Sequence, residues 1–257
     1  MERAEQPPDK TALMNLNFMA MALLCALTLS APSTAQSLRE REIAQCLPGE
    51  ISTWGDGHDR PASSSPLIFQ YDHTGSPAWF SQAVVLEAVQ NAAQAWSQCG
   101  VPSQVLTPAS DQAQRPGAIL VQWSQENSGG NFAQADLGKG LLAMNPAMFE
   151  LLNERNPKHD AGLTLQMVIS HEMGHHFGLM AHSRRCVDVT SYYDNGKGER
   201  CHTRDGRAPA AGVEYRALLP TACDIARCMQ ANNVPERNRE NRLSHLLKSN
   251  KTKPPDH

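Results

Sequence analysis

The apolar positions of this chain fall into a leader, a patterned middle and a polar end. From Ser81 to Cys99, SQAVVLEAVQNAAQAWSQC places Val84, Val85, Ala88, Ala92 and Trp96 at helical spacing. That predicts an amphipathic helix, stopped by Gly100 and Pro102. LIFQYD (67–72) and GAILVQWS (117–124) have the content of strands, the second bounded by Pro116 and the turn-like Asn127–Gly130. NFAQAD (131–136) is a weaker strand, and KGLLAMN (139–145) is a further one, ended by Pro146. A polar loop, NERNPKHD, leads to a helix expected from near Leu163 to Phe177, with Gly178 as its stop. PTACDIARCMQ predicts a last helix after Pro220, capped by Thr221. Residues 36–66, mixed and rich in Pro, Ser and Gly, read as an irregular opening segment. From Asn232 the chain turns polar, basic and Pro-tailed, so 234–257 is expected to be a flexible tail.

The helix before Gly178 has two faces. Leu165, Ile169, Met173 and Phe177 form one i, i+4 stripe. Met167, His171 and His175 form another, on roughly the opposite side. One stripe can enter a core while the other lines a cleft.

The leader changes the picture of where the protein works. FMAMALLCALTLSA is short for a membrane span, and Ser33 and Ala35 fit the small positions before a cleavage site. Residues 1–35 are therefore expected to be a signal peptide, starting at Met1 or Met14, with a secreted or periplasmic mature chain. No stable membrane association is expected once it is removed; an uncleaved anchor is the rival. Without Cys25 the chain keeps six of its seven cysteines, an even number that favours three disulfides among fifteen connectivities. No CxxC pair supports a cysteine-bound structural zinc instead. A net charge of −3 with both signs mixed argues against a nucleic-acid partner. The length suits one large domain or two small ones, and a single domain is expected over 36–233.

The chemistry gathers in HEMGHHFGLMAHS, His171 to Ser183. His171 and His175 lie one helical turn apart, so both imidazoles can reach one metal ion, and zinc suits such nitrogens. Glu172 directly follows the first histidine, where it can act as general base on an activated water. A chance HExxH arises in roughly two sequences in a hundred of this composition, so the helix, Gly178 and the further His182 carry the weight. His176 points away and reads as a bystander.

HEMGHHFGL, a nearby histidine and then VTSYYDN together resemble the metzincin zinc endopeptidases, most closely the matrixin-like group. Their motif is HExxHxxGxxH; here His171, Glu172, His175 and Gly178 match, Ala181 falls in the third-ligand slot, and His182 stands one residue late. Their downstream turn carries a Met, whose slot holds Thr190, and then a Tyr, whose slot holds Tyr192. The resemblance implies one catalytic Zn2+ on His171, His175 and a third ligand; a loop can absorb one extra residue, so His182 is the expected third ligand, with Asp188 as the alternative because a carboxylate can replace an imidazole. It implies Glu172 as the catalytic base, with Tyr192 assisting the metal or the oxyanion. It also implies an α/β (α+β) fold: a twisted mixed sheet with one antiparallel edge strand, two packed helices and a small disulfide-held C-terminal subdomain. The upper subdomain would reach about 178 and the lower would run 179–233. The partner would be a protein or peptide substrate in extended form, paired with the edge strand NFAQAD. Two other functions share the motif: a non-catalytic zinc-binding module, and a zinc amidase acting on cell-wall peptide.

Overall fold

The computed structural model describes residues 37–106, 115–210 and 212–235. The expected signal peptide with Cys25, and nearly all of the expected tail, lie outside them. The fold below is that of the unit from Leu38 onward.

Five strands form one mixed sheet: β1 (Leu67–Tyr71), β2 (Ser103–Leu106), β3 (Ile119–Trp123), β4 (Ala133–Asp136) and β5 (Leu141–Met144). Their order across the sheet is β2-β1-β3-β5-β4. β1, β2, β3 and β5 are parallel, and β4 runs antiparallel to β5, with Ala133 opposite Met144 and Asp136 opposite Leu141. The alternation in β3 leaves Ile119, Val121 and Trp123 buried with half-exposed residues between them. β5 is buried at all four positions, as befits a strand between two neighbours.

Five α-helices accompany the sheet among the described residues: α1 (Leu38–Ala44), α2 (Gln82–Trp96), α3 (Pro146–Arg155), α4 (Ala161–His176) and α5 (Ala222–Ala231). α2 starts where Ser81 accepts a hydrogen bond from the Val84 N–H, and its last turn tightens into a 3-10 segment, Ser97–Cys99. α4 starts at Asp160, whose side chain accepts from the Gly162 N–H. The two helices touch closely: Trp96 Nε1 donates to the Ser170 carbonyl at 2.8 Å, and Gln166 Nε2 donates to the Ala88 carbonyl at 3.0 Å. Gly174 permits this approach, because a Cβ there would stand 2.8 Å from the Trp96 ring and 3.0 Å from the Thr190 methyl. Leu165, Ile169, Met173 and Phe177, the predicted inner stripe of α4, are fully buried. Phe177 stacks between Phe69 and Trp96, and this aromatic seam joins sheet, α2 and α4.

Three elements depart from the sequence reading. α1 lies in the segment read as irregular; its Glu42 is fully buried, accepting from the Arg204 N–H at 2.6 Å and the Tyr215 hydroxyl at 2.7 Å. α3 takes in 146–152, for which the sequence pattern predicts no element, and the first three residues of the expected polar loop, 153–155. Asn145 caps it, accepting from the Ala147 and Met148 N–H groups, and Pro146 sits in its first turn, where no N–H is needed. β2 is short and only partly buried, so it has no apolar signature of its own. Val234, assigned to the tail, packs on the core, and its N–H donates to the Met229 carbonyl at 2.9 Å.

Cys46–Cys223, Cys99–Cys228 and Cys186–Cys201 form disulfides. Two join α5 to distant parts of the chain, and the third closes the loops beyond α4. No described helix is long and apolar enough to cross a membrane.

Candidate metal centre

α4 presents His171 and His175 with ring centroids 5.3 Å apart, and the chain beyond its end brings His182 to 5.1 and 5.0 Å from them. One ligand atom from each of the three histidines lies within 4.8 Å of the other two. The hydrogen bonds behind two of the rings decide their tautomers. His171 Nδ1 lies 2.8 Å from the Val189 carbonyl oxygen, and His175 Nδ1 lies 2.7 Å from that of Leu179. A carbonyl only accepts, so each Nδ1 carries the proton and each Nε2 keeps its lone pair. Burial is the main force holding all three imidazoles neutral, with His182 pulled down to about 4 and His171 well below its ordinary value. Mutual repulsion adds to this: His175 and His182 act on His171, and His175 acts on His182. Neutral imidazoles with free lone pairs are the form that binds a metal ion, so this donor set fits one.

The turn after α4 shows how the late histidine arrives. Gly178 has φ +105°, and any side chain there would overlap the Arg60 carbonyl. Its own carbonyl accepts from the Arg60 N–H at 3.0 Å. The extra residue is absorbed at Met180 and Ala181, whose N–H groups both donate to Asp59 Oδ1, at 2.8 and 3.2 Å. Arg227 on α5 closes the clamp: its Nη2 donates to the Ala181 carbonyl and, at 2.7 Å, to Asp59. The Ala181 side chain, in the slot expected for the ligand, is buried in protein instead.

Asp188, the alternative ligand, lies outside this cluster. It is buried beneath the loop, accepting from Ser183 Oγ at 2.7 Å and Thr221 Oγ1 at 2.6 Å, with Arg185 at 3.3 Å. Burial, and then the neighbouring Asp224, push its carboxyl up to about 7. Its oxygens are engaged in bracing the loop. Thr190, in the slot of the supporting Met, makes a polar contact: its hydroxyl donates to Asp224 Oδ1 at 2.7 Å. Asp224 also accepts from the Val189 N–H at 2.9 Å, so α5 fixes the residue whose carbonyl orients His171.

Glu172 faces the same cleft, a cavity of about 780 Å³ also lined by the three histidines, β4 and Tyr192. Its Oε2 accepts from the Ala135 N–H of edge strand β4 at 2.8 Å. Burial pushes the carboxyl up to about 8, against the pull of that N–H. Tyr192 lays its ring flat on His182, centroids 3.7 Å apart and planes 22° off parallel. His176 points elsewhere, its Nε2 3.2 Å from the Leu141 carbonyl and its ring edge-on to Phe69.

Asp56, Asp59, Asp224 and Arg227 escaped the sequence reading. WGDGHDR, in the segment read as irregular, is the one hint of the first two.

No protein-family model matches the chain, and no curated protein matches it. A solved structure described as "GM1 bound form of the ECX AB5 holotoxin" aligns over 64% of this chain and 80% of that one, with a TM-score of 0.34 and 12% identity. A likeness of that size carries no argument about fold or function.

Proposed function

We propose that the chain is a secreted zinc metalloendopeptidase with a metzincin-like fold. The observation that carries this reading is the convergence, in one cleft, of a three-histidine donor set, Glu172 and the antiparallel edge strand β4. His171, His175 and His182 would hold the metal, which when bound supplies Lewis-acid activation of water and of the scissile carbonyl. The positive charge of a bound metal would favour the ionised form of Glu172, whose carboxylate would take a proton from the attacking water and deliver it to the leaving nitrogen. β4 offers its open edge to an extended peptide, which would lie antiparallel or parallel along it beside Glu172. A second cavity of about 520 Å³ shares Tyr193, Asp194 and Glu214 with the cleft and is suited to receive a substrate side chain. Tyr192 steadies the His182 ring by stacking. The three disulfides and the leader support an extracellular or periplasmic site of action.

Digestion of casein and of a peptide library tests the reading. The zinc-loaded chain is expected to cleave, to stop after dialysis against a chelator, and to recover when zinc returns. Glu172→Gln should retain zinc and lose about 10²–10⁴ in rate. A zinc-loaded wild type that cleaves no peptide but releases cell-wall peptide identifies the amidase. One that cleaves neither identifies a binding module.

A further inference from the structure

The three imidazoles differ in what stands behind them. His171 and His175 are backed by backbone carbonyls of the loops next to α4. His182 is backed by a carboxylate from 126 residues earlier: Asp56 Oδ2 lies 2.8 Å from its Nδ1, and Asp56 Oδ1 accepts its backbone N–H at 2.9 Å. Asp56 belongs to a run of chain that is laced to the 178–184 turn residue by residue. The Trp54 N–H donates to the His182 carbonyl at 3.0 Å, and the Arg184 N–H donates to the Ser52 carbonyl at 2.9 Å. Thr53 pairs antiparallel with Ser183, and Asp59 and Arg60 hold Met180, Ala181 and Gly178. The loop that carries His182 thus takes its shape from this strap, residues 52–60.

We infer that Asp56 is a positioning residue for the third metal ligand, and that the strap it belongs to completes the metal site. The inference rests on the proposed function. A carboxylate facing Nδ1 keeps the proton there, turns the Nε2 lone pair toward His171 and His175, and raises the basicity of the ring. The second oxygen fixes the backbone of the same residue, so ring and main chain are set by one side chain. This is how a histidine one residue out of register is brought onto the site: the strap replaces the spacing. Asparagine cannot do the same. With its oxygen on the His182 N–H it puts an NH2 against Nδ1, which moves the ring proton to Nε2 and blocks the lone pair. Turned over, it faces the backbone N–H with a second donor.

The test compares wild type with Asp56→Asn by competition for zinc against a chromophoric chelator, with cobalt(II) spectra as a second readout. The metal-free variant is first checked for an unchanged circular dichroism spectrum and thermal midpoint. Zinc affinity is expected to fall about 10–100-fold, with an altered cobalt spectrum. Equal affinity and an unchanged spectrum in a folded variant overturn the inference and leave the proposed function standing. A wild type that binds no zinc overturns both. Should the variant not fold, 15N-edited NMR of the metal-free wild type decides: His182 protonated at Nδ1 is the expected tautomer, and protonation at Nε2 overturns the inference.

Discussion

At the scale of single residues, the site depends on contacts that leave no spare room or spare donors. Gly174 lies between the two helical ligands in the chain, where a Cβ would meet both the Trp96 ring and the Thr190 methyl. Gly174→Ala is expected to destabilise the fold by about 1–3 kcal/mol, read by urea denaturation, because the indole and the loop under His171 must both give way. Asp59 offers a test by pH. Burial alone would raise its carboxyl, but Arg227 and the Met180 and Ala181 N–H groups together hold it below the ordinary 3.8. A depressed carboxyl contributes its stability in full above the unfolded value and loses it as pH falls through the folded one. Wild type should therefore lose stability below about pH 4 more steeply than Asp59→Asn, in denaturation midpoints followed from pH 6 to pH 3. At neutral pH the variant should be the less stable, because the nearly buried Arg227 loses its charged partner.

At the scale of elements, α5 acts as the brace beneath the site. Thr221 caps it by accepting from the Asp224 N–H, the Asp224 side chain returns to the Thr221 N–H, and the same Thr221 hydroxyl meets Asp188. Thr221→Val should cost about 1–3 kcal/mol, the sum of a lost cap and of one donor lost from the buried Asp188 carboxyl, measurable in the same urea titrations. Caps explain much of what the sequence made legible. Thr221 after Pro220 marks the start of one helix and Gly178 after Phe177 the end of another, and the structure places α5 and α4 close to the expected bounds. α3 was hidden because Asn145–Pro146 reads equally well as the end of a strand, and the Asn145 cap and the packing of Phe149 in the core distinguish the two. The ligand-bearing helix face was plain from spacing. The groups behind the ligands were not, since Asp56, Asp59 and Arg227 reach the turn from 46 to 126 residues away in pairings that no local pattern encodes.

At the scale of the whole molecule, covalent and polar ties stand in for regular structure between Phe177 and Thr221, where no described helix or strand occurs. Cys46–Cys223 and Cys99–Cys228 span 177 and 129 residues, so each restricts a large part of the unfolded chain. Replacing Cys46 and Cys223 together by serine should lower stability by about 2–5 kcal/mol and, by loosening the chain that leads into the strap, weaken zinc retention during gel filtration. The sheet, α2 and α4 share the buried aromatic seam and should keep their secondary structure in that variant. The same division appears in the site: two ligands come from the rigid helix, and the third comes from a turn that other parts of the chain must hold.

X-ray absorption at the zinc edge, on wild-type protein loaded with one equivalent of zinc, tests this account most directly. The geometry predicts a shell with three imidazole nitrogens at zinc–nitrogen distances of about 2.0–2.1 Å and a light-atom fourth ligand. Retention of only two imidazoles, or a sulfur in the shell, would contradict the three-histidine centre.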